Sequence, residues 1–157
     1  MQQDRCSWIA ATAAGALGAI ALTAVHESAR KTVPHPPRMD VLSRRALKKT
    51  LEATGQRTQP RPVLHRWALA GDLIANTIYY TAVARGRGRA KWGRALVLGV
   101  AAGVGAVVLP PYMGLGRAPN SGFASTNVMT TIWYLAGALA SAAAASAMEP
   151  HGRRAAA

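Results

Sequence analysis

Acidic residues are scarce in this chain. Six Asp and Glu stand against 19 Lys and Arg in 157 residues, a formal net charge of +13. Charge of any sign is thin as well: 16% of residues carry it, where a globular domain has roughly a quarter. Polar surface is therefore too sparse for an ordinary water-soluble fold. There is one cysteine, Cys6, which excludes an internal disulfide. It lacks the preceding Leu-x-x context of a bacterial lipoprotein site, so it does not read as a lipid anchor. No catalytic constellation and no metal-ligand set stands out. An acid/base pair or an activated nucleophile cannot be assembled from the motifs present, so no enzyme, metal or cofactor is expected.

Apolar sequence is plentiful, and it is segregated. Half the residues are hydrophobic. They gather in four runs that hold almost no charge, while the basic residues crowd between them. That layout marks a membrane protein rather than a soluble nucleic-acid binder. The expected spans are 8–25, 67–84, 95–113 and 128–148. The first, at 1.5 Å per residue, would cover about 27 Å, close to the thickness of the hydrocarbon core. It is longer than a signal-peptide apolar region and has only Arg5, offset by Asp4, ahead of it, so it reads as an uncleaved anchor. The second span holds Asp72 and Asn76, a cost of roughly 2.5–3.5 kcal/mol for the aspartate alone on insertion scales. The third runs into Pro110 and Pro111, with Tyr112 and Met113 extending it past a proline kink. The fourth carries Trp133 and Tyr134 early, as interfacial anchors, and ends at Glu149-Pro150.

Residues 26–66 form a basic first loop. Pro34-His35-Pro36-Pro37 is extended or turning. Asp40 then stands where an N-cap would, and Gly55 where a helix would end. On a helical wheel Met39, Leu42, Ala46 and Ala53 share one face, widened by Leu47 and Leu51. Arg44, Arg45, Lys48 and Lys49 lie opposite, with Glu52. This is the pattern of an interfacial helix whose cations meet anionic lipid headgroups; a helix packed on its own bundle shows the same pattern. Gln56 to Pro62 reads as a linker. Orientation is in conflict, because both this loop and the Arg85-to-Arg94 loop are basic and four spans put them on opposite sides. The shorter, denser loop favours the termini and the second loop inside.

Asp72, Asn76 and Tyr79 or Tyr80 make one polar stripe on the second span. An ionisable group inside a span is a candidate for proton or ion handling. The alternative is an interfacial aspartate paired with Arg66 or hydrogen-bonded to Ser or Thr across the bundle. His26-Glu27-Ser28-Ala29-Arg30 approaches the zinc motif H-E-x-x-H, but arginine cannot ligate; Glu27 and Arg30 fit an ion pair instead. His35, His65 and His151 read as solvated loop residues. Arg85-Gly-Arg-Gly-Arg reads as a stop-transfer, headgroup-binding loop rather than a nucleic-acid segment. Gly114-Leu-Gly116-Arg117 lacks the ending of a phosphate loop. Gly99 and Gly103 form a G-x-x-x-G pair, repeated by Ala101 with Gly105 and more loosely by Ala14 with Gly18, for helix contact within the chain or between subunits.

His26-Glu27, Pro36-Pro37-Arg38, His65 before Gly71 and Tyr79-Tyr80, and the turn from Leu109 to Leu115 together resemble small four-span bacterial inner-membrane proteins of the YagU-like kind. The resemblance covers most of the chain and implies architecture rather than mechanism. The abundance of Arg and Ala also suits a GC-rich bacterial genome.

The expectation is therefore a single all-α membrane domain, residues 1–157: a four-helix transmembrane bundle with an amphipathic interfacial helix in the first loop, multi-pass in the cell inner membrane. Its expected role is non-catalytic, as a structural or accessory subunit. It packs with a membrane-protein partner or as a homo-oligomer, and binds the lipid bilayer and anionic lipids, with no nucleic acid. The alternative is a small oligomeric ion or proton channel or transporter with Asp72 in the path.

Overall fold

The computed structural model describes residues 2–86 and 88–149, so Met1, Arg87 and residues 150–157, His151 among them, lie outside it. The described chain is all-helical: α1 (Gln2–Thr32), α2 (Met39–Ala53), α3 (Arg61–Ala84), α4 (Ala90–Tyr112) and α5 (Ala124–Met148). Every long helix begins before its apolar run, and α1 also outlasts its run. α1 continues past Val25 because its buried stripe, Ala11, Ala14, Gly18 and Leu22, continues at the same spacing into Ala29. The Glu27–Arg30 pair, 2.7 Å, closes that extra turn. α3 starts at Arg61 with Pro62 in its first turn, where the missing N–H costs nothing. The linker therefore ends at Pro60, not Pro62.

Helix ends follow local chemistry. The Gln56 N–H reaches the Leu51 carbonyl at 2.8 Å and the Gly55 N–H reaches Glu52 at 3.1 Å. Gly55 supplies the positive φ of 71° that this cap requires. The same closure ends α4: Leu115 donates to Pro110, and Gly114, φ 70°, donates to Pro111. Both prolines thus lie inside α4, one of them buried, rather than ending it. The expected N-cap Asp40 is corrected: Arg38 occupies the cap, without a side-chain hydrogen bond, and Asp40 sits in the first turn.

α1, α3, α4 and α5 run alternately up and down. α1 packs on α3 and α5, α4 packs chiefly on α5, and α2 packs on α3 at one end. Small residues set the closeness. A Cβ at Gly99 would lie 2.8 Å from the Leu135 Cα, and one at Gly103 would collide with Thr131. The G-x-x-x-G pair is thus consumed within the chain, between α4 and α5. Ala101 is exposed and Gly105 meets only its own helix's Leu109, so the offset pair makes no such contact. Gly137 makes room for the Tyr80 ring, whose hydroxyl donates to the Tyr134 carbonyl at 2.8 Å. Ala19, Leu22, Tyr80, Val83, Ala95, Ala138 and Ala142 form the core around it.

Among the described residues, three helical stretches are long and apolar enough to cross a membrane: Trp8–Thr32, Ala90–Tyr112 and Ala124–Met148. That is one fewer than the four expected. α3 has the length, about 36 Å at 1.5 Å per residue, but its polar stripe keeps it below the other three. Ile9, Ile74, Ile78, Val97, Val100, Val104 and Ile132 are exposed around the bundle, an outer apolar surface suited to lipid or to partner helices. At the end remote from α2, Lys91 is nearly enclosed and its Nζ lies 2.6 Å from Glu149. Arg85 stacks 3.6 Å above the Trp8 ring there.

Candidate functional site

α1, α2 and α3 meet at the α2 end around a small chamber with both polar and apolar walls. α1 gives Leu22, Thr23, His26 and Glu27, α2 gives Met39, Asp40 and Ser43, α3 gives His65, Ala68, Leu69 and Asp72, and α5 gives Tyr134. Spacings of three and four residues put each set on one helix face. The chamber holds about 30 Å³ of free space, enough for one or two waters. The Thr23 hydroxyl and His26 Nε2 are buried there without a hydrogen-bond partner among the described residues. The His26 ring stands edge-on to Trp133 and Tyr134, at 5.1 and 5.9 Å between centroids. Those aromatics therefore pack inward on a histidine.

Asp40 organises one wall. Arg38 donates to both its oxygens at 2.8 and 3.0 Å, Arg44 donates at 3.1 Å, and Arg30 lies 3.7 Å away. Burial pushes the Asp40 carboxyl up. The Arg38 hydrogen bond and the charges of Arg38, Arg44 and Arg30 outweigh it and hold the group below its ordinary value. The hydrogen bond to Asp40 in turn raises Arg38. Arg30 also joins Glu27, so α1 and α2 are tied through one ionic cluster.

Asp72 forms the opposite wall. Its side-chain partner is the Ser43 hydroxyl at 3.4 Å, a long hydrogen bond across α2 and α3. Arg66 is exposed and makes no pair with it. The expected stripe is divided by the fold. Asp72 lines the chamber, Asn76 is buried below it, Tyr79 donates to the Leu98 carbonyl at 2.8 Å, and Tyr80 to Tyr134. The two tyrosines hold α4 and α5 in place. Tyr80 is fully enclosed and fills the bundle beneath the chamber.

The cations of α2 also have partners. Arg44 Nη1 lies 3.4 Å from His65 Nδ1. Arg45 donates to the carbonyls of Leu115 and Arg117, and Lys49 to that of Met113 at 2.6 Å. Lys48 faces Glu52 at 3.6 Å. α2 is thus strapped to the α4–α5 turn on one side, while its apolar residues Met39, Leu42 and Leu51 are buried against the bundle; Ala53 of the expected apolar face is exposed. The α4–α5 turn is held from the α1–α2 connection as well, by Thr126 to the His35 carbonyl and Asn120 to that of Pro36. His35 stacks on Phe123 with centroids 4.0 Å apart.

His26, Asp40, Ser43 and His65 are site residues that sequence reasoning passed over. His65, expected in a loop, is helical. The available signal was the small-residue stripe of α1, which places His26 one turn beyond Leu22. Chemically the chamber can hold water and accept or release protons. Among the described residues no cluster of His, Cys, Asp and Glu is arranged to hold a metal ion.

Comparison with protein families, with curated proteins and with solved structures finds no match to this chain.

Proposed function

We propose that the chain is a four-span, non-catalytic protein of the bacterial inner membrane, an accessory subunit that packs against partner helices and binds anionic lipid. The inner-membrane setting rests on the YagU-like resemblance; the fourth span rests on the length of α3 and its exposed Ile74 and Ile78. The observation that carries the accessory reading is α4. It gives one face to α5 through Gly99 and Gly103, and leaves Val97, Val100, Val104 and Val108 uncovered on another. A photo-reactive residue at Val104 tests it in intact membranes. Covalent adducts to a second membrane protein are expected; adducts to lipid alone would contradict the reading. α2 then lies at the membrane interface, its buried side on α3 and its basic side towards headgroups and solvent.

A second reading, proton or ion handling through Asp72, is favoured by one observation. Asp72 shares a water-sized chamber with His26 and His65. Tyr80 and the alanine core stand below that chamber, so a path through this bundle would need them to move.

A further inference from the structure

Arg44, Arg45 and Lys48 of α2 and Arg61 at the start of α3 line one open groove of about 490 Å³, floored by Val41 and Leu64. Among the described residues no acidic side chain lines it. Arg44 is already matched by Asp40. Arg45 is not matched. Its Nη1 bonds go to neutral carbonyls, which fix the guanidinium and leave its charge uncancelled. Lys48 faces Glu52 across 3.6 Å with both side chains more than half exposed, a pair that water screens heavily. The first turn of α3 holds no acidic residue, so the positive end of that helix adds to the field.

We propose that this groove binds the phosphodiester headgroup of an anionic phospholipid, with Arg45, Lys48 and Arg61 around the phosphate. The inference rests on the lipid-facing position proposed above for α2, and it adds a site, a stoichiometry and a residue outside α2. Arg45 and Arg61, which have no ion pair among the described residues, and Lys48 in its water-screened pair stand over an apolar floor and match a phosphate joined to hydrocarbon. Just beyond the groove along α3, Trp67 is half exposed and begins an apolar stripe through Ile74 and Ile78. Acyl chains have a surface to follow there, which a free phosphate or a nucleic acid would leave unused.

Lys49 provides the internal control. It sits beside these cations in sequence but reaches the Met113 carbonyl and does not line the groove. Native mass spectrometry of the full chain in a neutral detergent, with short-chain phosphatidylglycerol as probe, reads the binding. One lipid per chain is expected. Arg61→Gln and Lys48→Gln should each weaken it about fivefold, the worth of one surface cation, and Lys49→Gln should weaken it clearly less than either. If Lys49→Gln weakens binding as much as Arg61→Gln, the groove is overturned while a diffuse basic surface stands. If phosphatidylglycerol binds no better than phosphatidylcholine, the groove and the lipid-facing reading both fall. Displacement of the lipid by an equal concentration of glycerol 3-phosphate would show a site for soluble phosphate and overturn the proposal.

Discussion

The Ser43 hydroxyl stands 3.4 Å from Asp72 Oδ1 and joins the basic helix α2 to α3. On the accessory reading proposed above, Asp72 marks where α2 docks. Vesicles reconstituted with wild type or with Asp72→Asn should therefore show the same proton permeability in a pH-jump assay. A flux present in wild type and lost in Asp72→Asn would favour translocation instead.

Asp40 should confer pH dependence on stability. Its folded-state value lies below the ordinary 3.8. Its contribution is thus complete above that value and is lost as the pH falls through the lower folded one. Asp40→Asn should cost about 1.5–3 kcal/mol at neutral pH, the range for hydrogen bonds to a charged group. Thermal unfolding in detergent should show wild type and variant converging below about pH 4. A gap that persists unchanged into acid would remove Asp40 from that role.

Two glycines should respond to substitution with opposite signs. Gly103→Leu forces a side chain onto the Thr131 backbone and should destabilise the α4–α5 contact by about 1–3 kcal/mol or more. Gly71→Ala meets nothing within 4 Å and should be neutral or stabilising, by up to about 1 kcal/mol. Melting temperatures of the two variants, compared with wild type, check both signs.

Cysteine accessibility tests the fourth span without assuming an orientation. In a Cys6→Ser background, Thr58→Cys and Arg117→Cys should label from one side of the membrane with an impermeant reagent. Arg89→Cys should label from the other. Labelling of Thr58→Cys and Arg89→Cys from the same side would leave three spans, with α3 not crossing.

Much of the fold was legible because helix formation leaves periodic marks. Met39, Leu42 and Leu51 announced the buried side of α2, and Gly55 announced its end. Gly99 and Gly103 announced a close approach, though their partners Leu135 and Thr131 carry no complementary mark. The ends of α1 and α3 were less legible because hydropathy reports where lipid begins, and a helix continues into polar sequence as long as its buried stripe does. The chamber was hidden for a related reason. His26, Asp40 and His65 each sit in locally polar, basic sequence that looks solvated. They become one site only when α1, α2 and α3 meet, which no short-range spacing records. The partners of Arg45 and Lys49 were invisible too, since backbone carbonyls of a distant turn have no sequence signature.

The most direct test of the accessory role is native mass spectrometry of the protein extracted from its own membrane in mild detergent. A complex of fixed stoichiometry with a different membrane subunit is expected, lost or weakened when Val100 and Val104 are changed to Trp. The chain alone, or a closed ring of its own copies with no second subunit, would contradict that role.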